Sequence, residues 1–236
     1  MRVVKYINCD NILIAFQNPY PCTVKTTYRY FSSGGVKNPM FPNTYGAGYL
    51  GIGDYVATNT NGRFTPEYNS WRGMLDRLHG TSKNNRCYHD CKISPDFYNF
   101  QLFAEWYKDN AFDCGNEKLD VDKDILIKNN KAYSSATCIL VPSRINKMFI
   151  KRSNQISKYP PGVYLMKNGK YQGRIWFDGK VVRSDFFSNI NDAFKFYKHN
   201  KERIIKNMAD EYLSKYPKFP KKIYNALYSY TVDFND

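Results

Sequence analysis

The sequence has few acidic residues and no long apolar run. Its 236 residues include 21 Asp and Glu against 35 Lys and Arg, so the formal net charge is +14. No segment reaches the roughly 18 consecutive apolar residues that a membrane span requires, and the N-terminus has no apolar core typical of a signal peptide. The sequence therefore predicts a soluble, cytoplasmic protein that does not have a membrane as its partner.

Cysteine and histidine are also sparse. The six cysteines are scattered along the chain, which is not the density of a disulfide-stabilised secreted domain. Cys87 and Cys91 are close enough to begin a zinc site, but no second close Cys or His pair follows. We therefore predict reduced, buried thiols rather than a zinc cluster.

The excess of positive charge is concentrated in one part of the chain. Residues 158–206 hold eleven basic and four acidic residues, which is half of the net charge, whereas residues 207–236 are balanced. A surplus of Lys and Arg attracts polyanions by releasing their condensed counterions. We therefore expect a compact DNA-binding module in residues 158–206.

Alternating apolar residues near the N-terminus predict a small antiparallel β unit. Three short strand patterns between Arg2 and Tyr30 are separated by turn residues. Glycines and prolines between Gly34 and Gly53 then break the chain, and we assign residues 1–45 to a first module.

Helical spacing begins at Thr65, a suitable N-cap that is followed by Pro66 in the first turn. A second helix with an aromatic face is predicted from Asn99 to about Asp109. We assign residues 46–157 to a central module that contains both helices.

Pro160 and Pro161 mark a further boundary, and residues 158–236 form a third module. Strands separated by Asn-Gly and Asp-Gly turns are predicted at residues 162–166, 171–177 and 181–187. A long helix capped by Asn191 or Asp192 and a short C-terminal helix follow. The whole pattern predicts an α+β protein with a C-terminal three-stranded sheet plus helix.

The acidic run from Leu119 to Asp124 is the densest candidate for chemistry. We predict a strand there, a second strand near residues 132–133, and a short helix from Pro142 through Phe149. This is the outline of a ββα-metal nuclease core, although many small domains share it. Alternation places three carboxylates, those of Asp120, Asp122 and Asp124, on one face of the first strand.

Carboxylate and amide oxygens are the ligands that hold a hard divalent cation for phosphodiester hydrolysis. Asp122 on the strand and Asn146 on the helix supply such oxygens. On spacing alone, a solvated acidic turn explains the same residues equally well.

Several motifs after Gly46 resemble phage and prophage HNH-type homing endonucleases. They are Tyr-Gly-x-Gly-Tyr-x-Gly, Glu-Tyr-x-x-Trp-x-x-Met-Leu-x-Arg, Phe-x-x-Phe-x-x-Trp-Tyr, Val-Asp-Lys-Asp-Ile-Leu and Cys-x-x-Val-Pro-x-x-x-Asn. The aspartate turn also resembles small HNH restriction enzymes in which an aspartate replaces the usual first histidine. The resemblance covers nearly the whole chain. It implies a sequence-specific DNA endonuclease that uses Mg²⁺ or Mn²⁺ in the cytoplasm of a phage host.

The resemblance also implies roles for individual residues. It makes Asp122 the first metal ligand, with Asn146 and Asp124 as further ligands, and places Lys123 at the scissile phosphate. Ser143 competes with Asn146 as the ligand from the helix, because it lies near the position where the restriction enzymes keep an asparagine.

No histidine stands next to Asp122, where the general base of the HNH family is found. His89 or Tyr88 is the predicted base, and His79 competes with them. His199, in the long C-terminal helix, is predicted to be a surface residue.

The segment from Tyr159 to Tyr212 resembles the DNA-binding domain of plant APETALA and ethylene-response factors. The shared pattern is Gly162-Val163-Tyr164, Tyr171-x-x-x-Ile175, Gly179-Lys180, Phe187 and Ala193-Phe194-x-x-Tyr197. In that fold a three-stranded sheet lies in the major groove. The resemblance implies DNA contacts by Lys167, Lys170, Arg174, Trp176, Lys180 and Arg183. At Ser184-Asp185-Phe186 the sequence departs from the usual Leu-Gly before Phe, which points to a changed register of the third strand.

Two other functions stay open at this point. The missing histidine is compatible with a catalytically inactive phage DNA-binding protein of the same fold, acting as a regulator or in host interaction. An RNA-binding protein fits the charge but leaves the acidic turn unexplained.

Overall fold

The structure is a computed structural model that describes residues 1–82, 88–150 and 158–236. It contains helices and several small sheets, which confirms the predicted α+β class. The chain forms two compact units, Met1–Asp109 with Ala132–Ser135, and Asn110–Lys131 with Ala136–Asp236. The predicted three-module division is a different partition and stays a prediction.

Three antiparallel strands begin the first unit: β1 (Arg2–Asn8), β2 (Asn11–Phe16) and β3 (Cys22–Thr26), with β2 in the middle. The prediction that the third strand continues to Tyr30 is wrong, because the chain enters helix α1 (Tyr28–Ser32). The Thr27 side chain accepts a hydrogen bond from the backbone N–H of Tyr30 and so caps this helix.

An aromatic core fills the rest of the first unit. Its helices are α2 (Pro66–His79), α3 (Pro95–Tyr98) and α4 (Phe100–Asn110), so both predicted helices are confirmed. Thr65 caps α2 by accepting from the N–H of Tyr68. The indole N–H of Trp71 donates to the Phe97 carbonyl oxygen at 2.8 Å, which satisfies the polar atom of a fully buried ring.

The predicted hairpin of the central module pairs differently from the prediction. Strand β5 (Leu119–Asp122) pairs antiparallel with β7 (Ile139–Pro142), and helix α5 (Ser143–Asn146) follows at once. The predicted partner, β6 (Ala132–Tyr133), instead pairs in parallel with β4 (Lys92–Ile93) of the first unit. The ββα outline is present, but its second strand lies later in the chain and its helix is shorter than predicted.

The C-terminal sheet and helices are confirmed. Strands β8 (Val163–Leu165), β9 (Tyr171–Phe177) and β10 (Lys180–Arg183) are antiparallel with β9 in the middle. Helices α6 (Ile190–Lys215) and α7 (Lys221–Tyr228) follow.

Two details of this region differ from the prediction. The side chain of Asn189, one residue before the helix, caps α6, rather than Asn191 or Asp192. The third strand ends at Arg183, and its pairing with β9 is regular to that point. Ser184 continues the pairing, because its N–H donates to the Gly173 carbonyl oxygen. Beyond Ser184 the register shifts by one residue, because Phe187 rather than Phe186 pairs with Tyr171, and the predicted change of register is therefore confirmed.

The ββα element and the C-terminal helices of the second unit share one hydrophobic core. This core consists of buried residues from β7, α5 and the turn after β5, and from the segment that holds α6 and α7: Ile125, Ile139, Val141, Ile145, Ile205, Met208, Ala209, Tyr212, Phe219, Ile223 and Leu227. The core is continuous across the predicted boundary after residue 157. No helix in the described part of the chain is both long and apolar enough to cross a membrane.

Candidate functional site

The outer face of the C-terminal sheet is the first candidate site. Arg174 and Trp176 are two residues apart on β9, and their partners across the ladder to β10 are Arg183 and Val181. Directly opposed residues of antiparallel strands have their side chains on the same face. Arg174, Trp176 and Arg183 therefore share one face, and 61% of Trp176 is exposed.

Helix α6 covers the other face of this sheet. Val163 and Ile175 are buried in one cluster with Ala193 of the helix. At Gly173 the helix comes so close that a Cβ would lie 2.6 Å from the Ala193 backbone oxygen. Because one face is occupied in this way, the face that bears Arg174 is the one open to a ligand.

Arg174 is held in a defined orientation on this face. Its Nε donates to the Gln172 side-chain oxygen at 2.9 Å, and a terminal guanidinium nitrogen lies 3.1 Å from the sulfur of Met166. The guanidinium carbon lies 5.0 Å from the centroid of the Tyr164 ring. A pre-ordered guanidinium loses less rotamer entropy when it binds a planar acceptor such as a base edge.

The other predicted DNA contacts stand at the ends of the strands. Lys167 lies in the turn after β8, Lys170 precedes β9, Lys180 begins β10, and all three are exposed. In the part of the chain that the structure describes, none of the predicted cations of this sheet forms an ion pair with a carboxylate.

Asp122, the predicted first metal ligand, closes the turn after β5. Its Oδ1 accepts hydrogen bonds from the backbone N–H groups of Asp124 at 2.8 Å and Ile125 at 2.7 Å. Burial removes water from this carboxylate, and the pKa of Asp122 is therefore raised above its ordinary value despite these two hydrogen bonds. At least one of its oxygens thus has a structural role.

Lys123, the predicted phosphate contact, is buried in the same turn. Its Nζ donates to Asp124 Oδ2 and to the Asn130 carbonyl oxygen, both at 2.6 Å. The Asn130 side-chain amide donates back to the Lys123 carbonyl oxygen at 2.9 Å. These reciprocal bonds fix the two ends of the loop that follows β5.

Asp120 is the carboxylate that contacts the helix of the ββα element. Ser143 Oγ donates to Asp120 Oδ2 at 2.7 Å, and the Asn146 amide nitrogen lies 3.4 Å from the same oxygen. Lys118 Nζ is 2.9 Å from Asp120 Oδ1. Desolvation by itself raises the pKa of Asp120, but the bonds from Ser143 and Lys118 outweigh it, so that the pKa lies below its ordinary value.

The sequence prediction missed this role of Asp120. It placed Asp120 on the same strand face as Asp122, but gave the metal to Asp122. The contact depends on the pairing of β5 with β7, in which Asp120 lies opposite Val141 and Ser143 follows the last pair, so no local signal in the sequence indicated it.

The predicted metal ligands do not come together as one group. The structure brings Asn146 to Asp120, whereas the two amide N–H groups described above occupy Asp122, and Asp124 forms an ion pair with Lys123. Over residues 1–82, 88–150 and 158–236, no group of three or more His, Cys, Asp and Glu is placed to hold a metal. Asp120 faces the amide nitrogen of Asn146 and the ammonium of Lys118, so a cation would bind here only after Lys118 leaves and the Asn146 amide turns its oxygen inward.

The predicted general bases belong to the first unit. His89, with 90% of its side chain exposed, has Nδ1 3.4 Å from Asp90 Oδ1. The Arg77 guanidinium lies 5.8 Å from the ring centroid of Tyr88. His79 Nε2 lies 3.2 Å from the Tyr98 hydroxyl. The assignment of the base therefore stays a prediction.

Two predicted surface and thiol features can also be placed. His199 is exposed on α6, as predicted. Cys9, Cys22, Cys91, Cys114 and Cys138 are thiols outside any disulfide, and Cys114 and Cys138 are buried. Cys9 is exposed, so the prediction of burial does not hold for every thiol. Cys87 lies outside the described residues.

Arg144 connects α5 to the C-terminal sheet within the second unit. Its guanidinium donates to Asp178, in the turn between β9 and β10, and to Glu211 on α6 at 2.7 Å. It also lies 5.3 Å from the ring centroid of Phe177. The hydrogen bonds to Asp178 and Glu211 raise the pKa of Arg144. The charge of Arg144 is thus used to hold α5 against the sheet.

Replacing Asp120 or Asp122 by Asn should change stability in opposite ways. The lowered pKa of Asp120 means that its ionised form stabilises the fold above its ordinary pKa of 3.8, and that this contribution is lost as the pH falls through the lowered value. Asp120→Asn should therefore cost about 1–3 kcal/mol at pH 7 and less at low pH. The raised pKa of Asp122 has the reverse sign, since its contribution is full at low pH and lost as the pH rises through the folded-state value.

Asp122→Asn should thus be neutral or stabilising at pH 7, because an Asn oxygen still accepts both backbone hydrogen bonds. Urea unfolding of both variants at pH 7 and pH 4 measures the difference. Equal losses for the two variants at pH 7 would contradict the assignment.

Comparison of the chain with protein-family models, with curated proteins and with solved structures found no match.

Proposed function

We propose that this protein binds duplex DNA through the outer face of its C-terminal sheet and hydrolyses phosphodiester bonds with the ββα element of the same unit. The main support is the composition of that face. Arg174, Arg183 and the exposed Trp176 lie together on one side of a sheet whose other side packs against α6. Their charges have no carboxylate partners among the described residues.

This face suits the major groove, which is roughly 12 Å wide and admits β-strands as well as a helix. Arg174 and Arg183 can donate in pairs to the O6 and N7 atoms of guanine. The lysines at the strand ends, Lys167, Lys170 and Lys180, would contact phosphates and set the position of the sheet on the duplex. The proposal therefore includes sequence-selective binding.

Asp120 and Asn146 are the residues that would hold Mg²⁺ or Mn²⁺ in the ββα element, once Lys118 leaves Asp120 and the Asn146 amide, whose nitrogen now faces Asp120, turns its oxygen to the metal. The bound metal would polarise the scissile phosphate and stabilise the leaving oxygen. The bonds to Asp120 from Ser143 and Lys118 keep its carboxylate ionised, as a ligand must be. With 65% of its side chain exposed, Lys118 can leave the carboxylate and contact the phosphate.

A DNA-binding protein without catalysis is the second candidate function. It is favoured by the hydrogen bonds of Asp122 and Lys123, which use both side chains to build the turn after β5. In that case the turn is structural and the sheet alone performs the function, in regulation or host interaction.

Nicking of supercoiled plasmid in Mg²⁺ or Mn²⁺ distinguishes the two functions. We expect wild-type protein to nick, and Asp120→Asn to reduce the rate at least about a hundredfold, because metal polarisation supplies several kcal/mol to the transition state. Asp122→Asn should retain most of the rate, and Asp54→Asn, at an exposed position of the first unit, is the control for charge.

The outcomes separate the candidate ligands. If Asp122→Asn lost nicking and Asp120→Asn kept it, Asp122 would be the metal ligand, as the HNH resemblance implies. If wild-type protein bound duplex DNA but nicked no substrate with either metal, the second candidate function would replace the first.

A further inference from the structure

The N-terminal sheet has one face on which basic residues stand in rows. On the central strand, Leu13 is paired with Lys5 of β1 on one side and with Lys25 of β3 on the other. In the neighbouring row, Ala15 is paired with Arg2 and Thr23 in the same manner. Opposed residues share a face, so the three cations lie on one side of the sheet.

An irregularity in β1 creates this arrangement. The register shifts between Val3 and Lys5 and again between Tyr6 and Asn8. Arg2 and Lys5 are three residues apart, and in a regular strand they would point to opposite faces. The first shift brings both onto the face of Leu13, as a β-bulge re-aims side chains.

This basic face is directed outward. Ile12 and Ile14, which point to the opposite face of β2, are completely buried. Arg2, Lys5 and Lys25 are exposed. None of these three cations has an ion-pair partner in the described ranges of the chain.

The surroundings of the three cations are poor in negative charge. The first 50 residues contain five basic residues and only one acidic residue, Asp10. By contrast, many lysines elsewhere are compensated, for example Lys108 by Glu67, Lys118 by Asp120 and Lys198 by Glu202. The N-terminal face thus shares uncompensated cations with the C-terminal one. On its opposite side Ile12 and Ile14 of the central strand are buried, whereas Val3 and Tyr6 of β1 are exposed.

We infer that the outward face of the N-terminal sheet, formed by Arg2, Lys5, Lys25 and Thr23, is a second contact surface for the phosphate backbone of duplex DNA. Lys5 and Lys25 are separated by two strand spacings, about 10 Å, so they can neutralise different phosphates. Phosphate oxygens accept hydrogen bonds from Lys, Arg and Thr side chains alike. The inference rests on the proposed function only for the identity of the polyanion.

Duplex DNA fits this face better than an anionic membrane does. The apolar residues paired with the cations, Leu13 and Ala15, are half-buried, and the exposed Val4 between Arg2 and Lys5 is small beside the Trp, Phe and Leu side chains of a bilayer-binding surface. A protein surface that enters a bilayer presents large exposed apolar side chains among its cations. The face lacks guanidinium pairs aimed at a groove as well, so we expect binding that does not depend on sequence.

A charge-removal variant tests the inference in the full-length chain. Arg2→Gln, Lys5→Gln and Lys25→Gln are combined, and the control combines Lys218→Gln, Lys221→Gln and Lys222→Gln, which removes the same charge from exposed positions. Affinity for a duplex of about 40 base pairs is measured over a series of salt concentrations. Each phosphate contact contributes about 0.9 to the slope of log K against log salt. The sheet variant should lower the slope by two to three and weaken binding roughly tenfold, and the control should change the slope by less than one.

Further variants show whether charge or folding causes the change in slope. A charge-conserving variant, Lys5→Arg with Lys25→Arg, should keep the wild-type slope, and equal melting temperatures show that all variants are folded. Equal slope changes in the sheet variant and the control would overturn the inference. So would a preference of wild-type protein for duplex RNA, or for phosphatidylserine vesicles, that the sheet variant abolishes.

A third variant separates this inference from the proposed function. One outcome is that Arg174→Gln with Arg183→Gln binds DNA like wild type while the sheet variant shows a lower slope of log K against log salt. In that case the proposed C-terminal site is wrong and the N-terminal site stands. The opposite result leaves the proposed function in place and removes this inference. Absence of any duplex binding by wild type would overturn both.

Discussion

A chain that ends at residue 157 is expected to lose the fold of the ββα element along with the C-terminal sheet. The core around Ile139, Val141 and Ile145 is completed by side chains of α6 and α7. Fully burying one such side chain stabilises a protein by about 1.5–3 kcal/mol, and a whole domain has a net stability of only about 5–15 kcal/mol. Without its cover, the hairpin cannot remain folded. Near-UV circular dichroism and limited proteolysis of the truncated chain measure this loss.

A point variant gives the same test without deleting any segment. Leu227 of α7 is 1% exposed, whereas Leu213 of α6 is 38% exposed. Leu227→Ala should destabilise the second unit by about 2–5 kcal/mol, and Leu213→Ala by less than about 0.5 kcal/mol. Hydrogen exchange of the β7 amides should report the loss in Leu227→Ala, although β7 is distant in sequence. Unchanged protection of β7, or a folded hairpin in the truncated chain, would show two independent cores.

Removal of the outer face of the C-terminal sheet should reduce duplex affinity about a thousandfold. Each bidentate arginine contact to a base contributes about 1–3 kcal/mol, and an aromatic contact is of similar size. Arg174→Gln, Arg183→Gln and Trp176→Ala together therefore remove roughly 4 kcal/mol or more. Fluorescence anisotropy at a fixed salt concentration, with a duplex selected from a random pool, measures the change.

The loss should be specific to the selected sequence. Lys218→Gln with Lys222→Gln removes the same number of charges from exposed positions and serves as the control. We expect the sheet variant to bind selected and random duplexes with nearly equal affinity, since base contacts specify and phosphate contacts position. Retained discrimination between the two duplexes would assign recognition to another surface.

Local signals in the sequence predicted much of the fold. Thr65 and Pro66 begin α2 as expected, because capping depends on neighbouring residues alone. The Asn-Gly and Asp-Gly turns of the C-terminal sheet were also predicted, and Gly169 and Gly179 both adopt the positive φ that such turns require. At Tyr28 the alternation was misleading, since the Thr27 hydroxyl caps a short helix where the pattern predicts a strand.

The candidate site was harder to predict because its pairing is not local. The run from Ile139 to Pro142 is a short apolar segment that ends in a proline, and periodicity alone does not distinguish a strand from the start of a helix there. With β6 assigned as the partner of β5, the sequence offered no reason to place Asp120 beside Ser143. The observed register of β5 with β7 supplies that reason.

The contact of Arg144 with Asp178 and Glu211 has a geometric consequence for a protein that cuts where it binds. Asn146 is two residues from Arg144, and Asp178 belongs to the turn that follows β9, so one side chain links α5 to the end of the strand that bears Trp176. In a protein that cuts the DNA it binds, this link would hold the two sites at a fixed distance. The number of base pairs between the recognised sequence and the broken bond would then be constant. Lengthening the chain between α5 and β8 would leave that number unchanged.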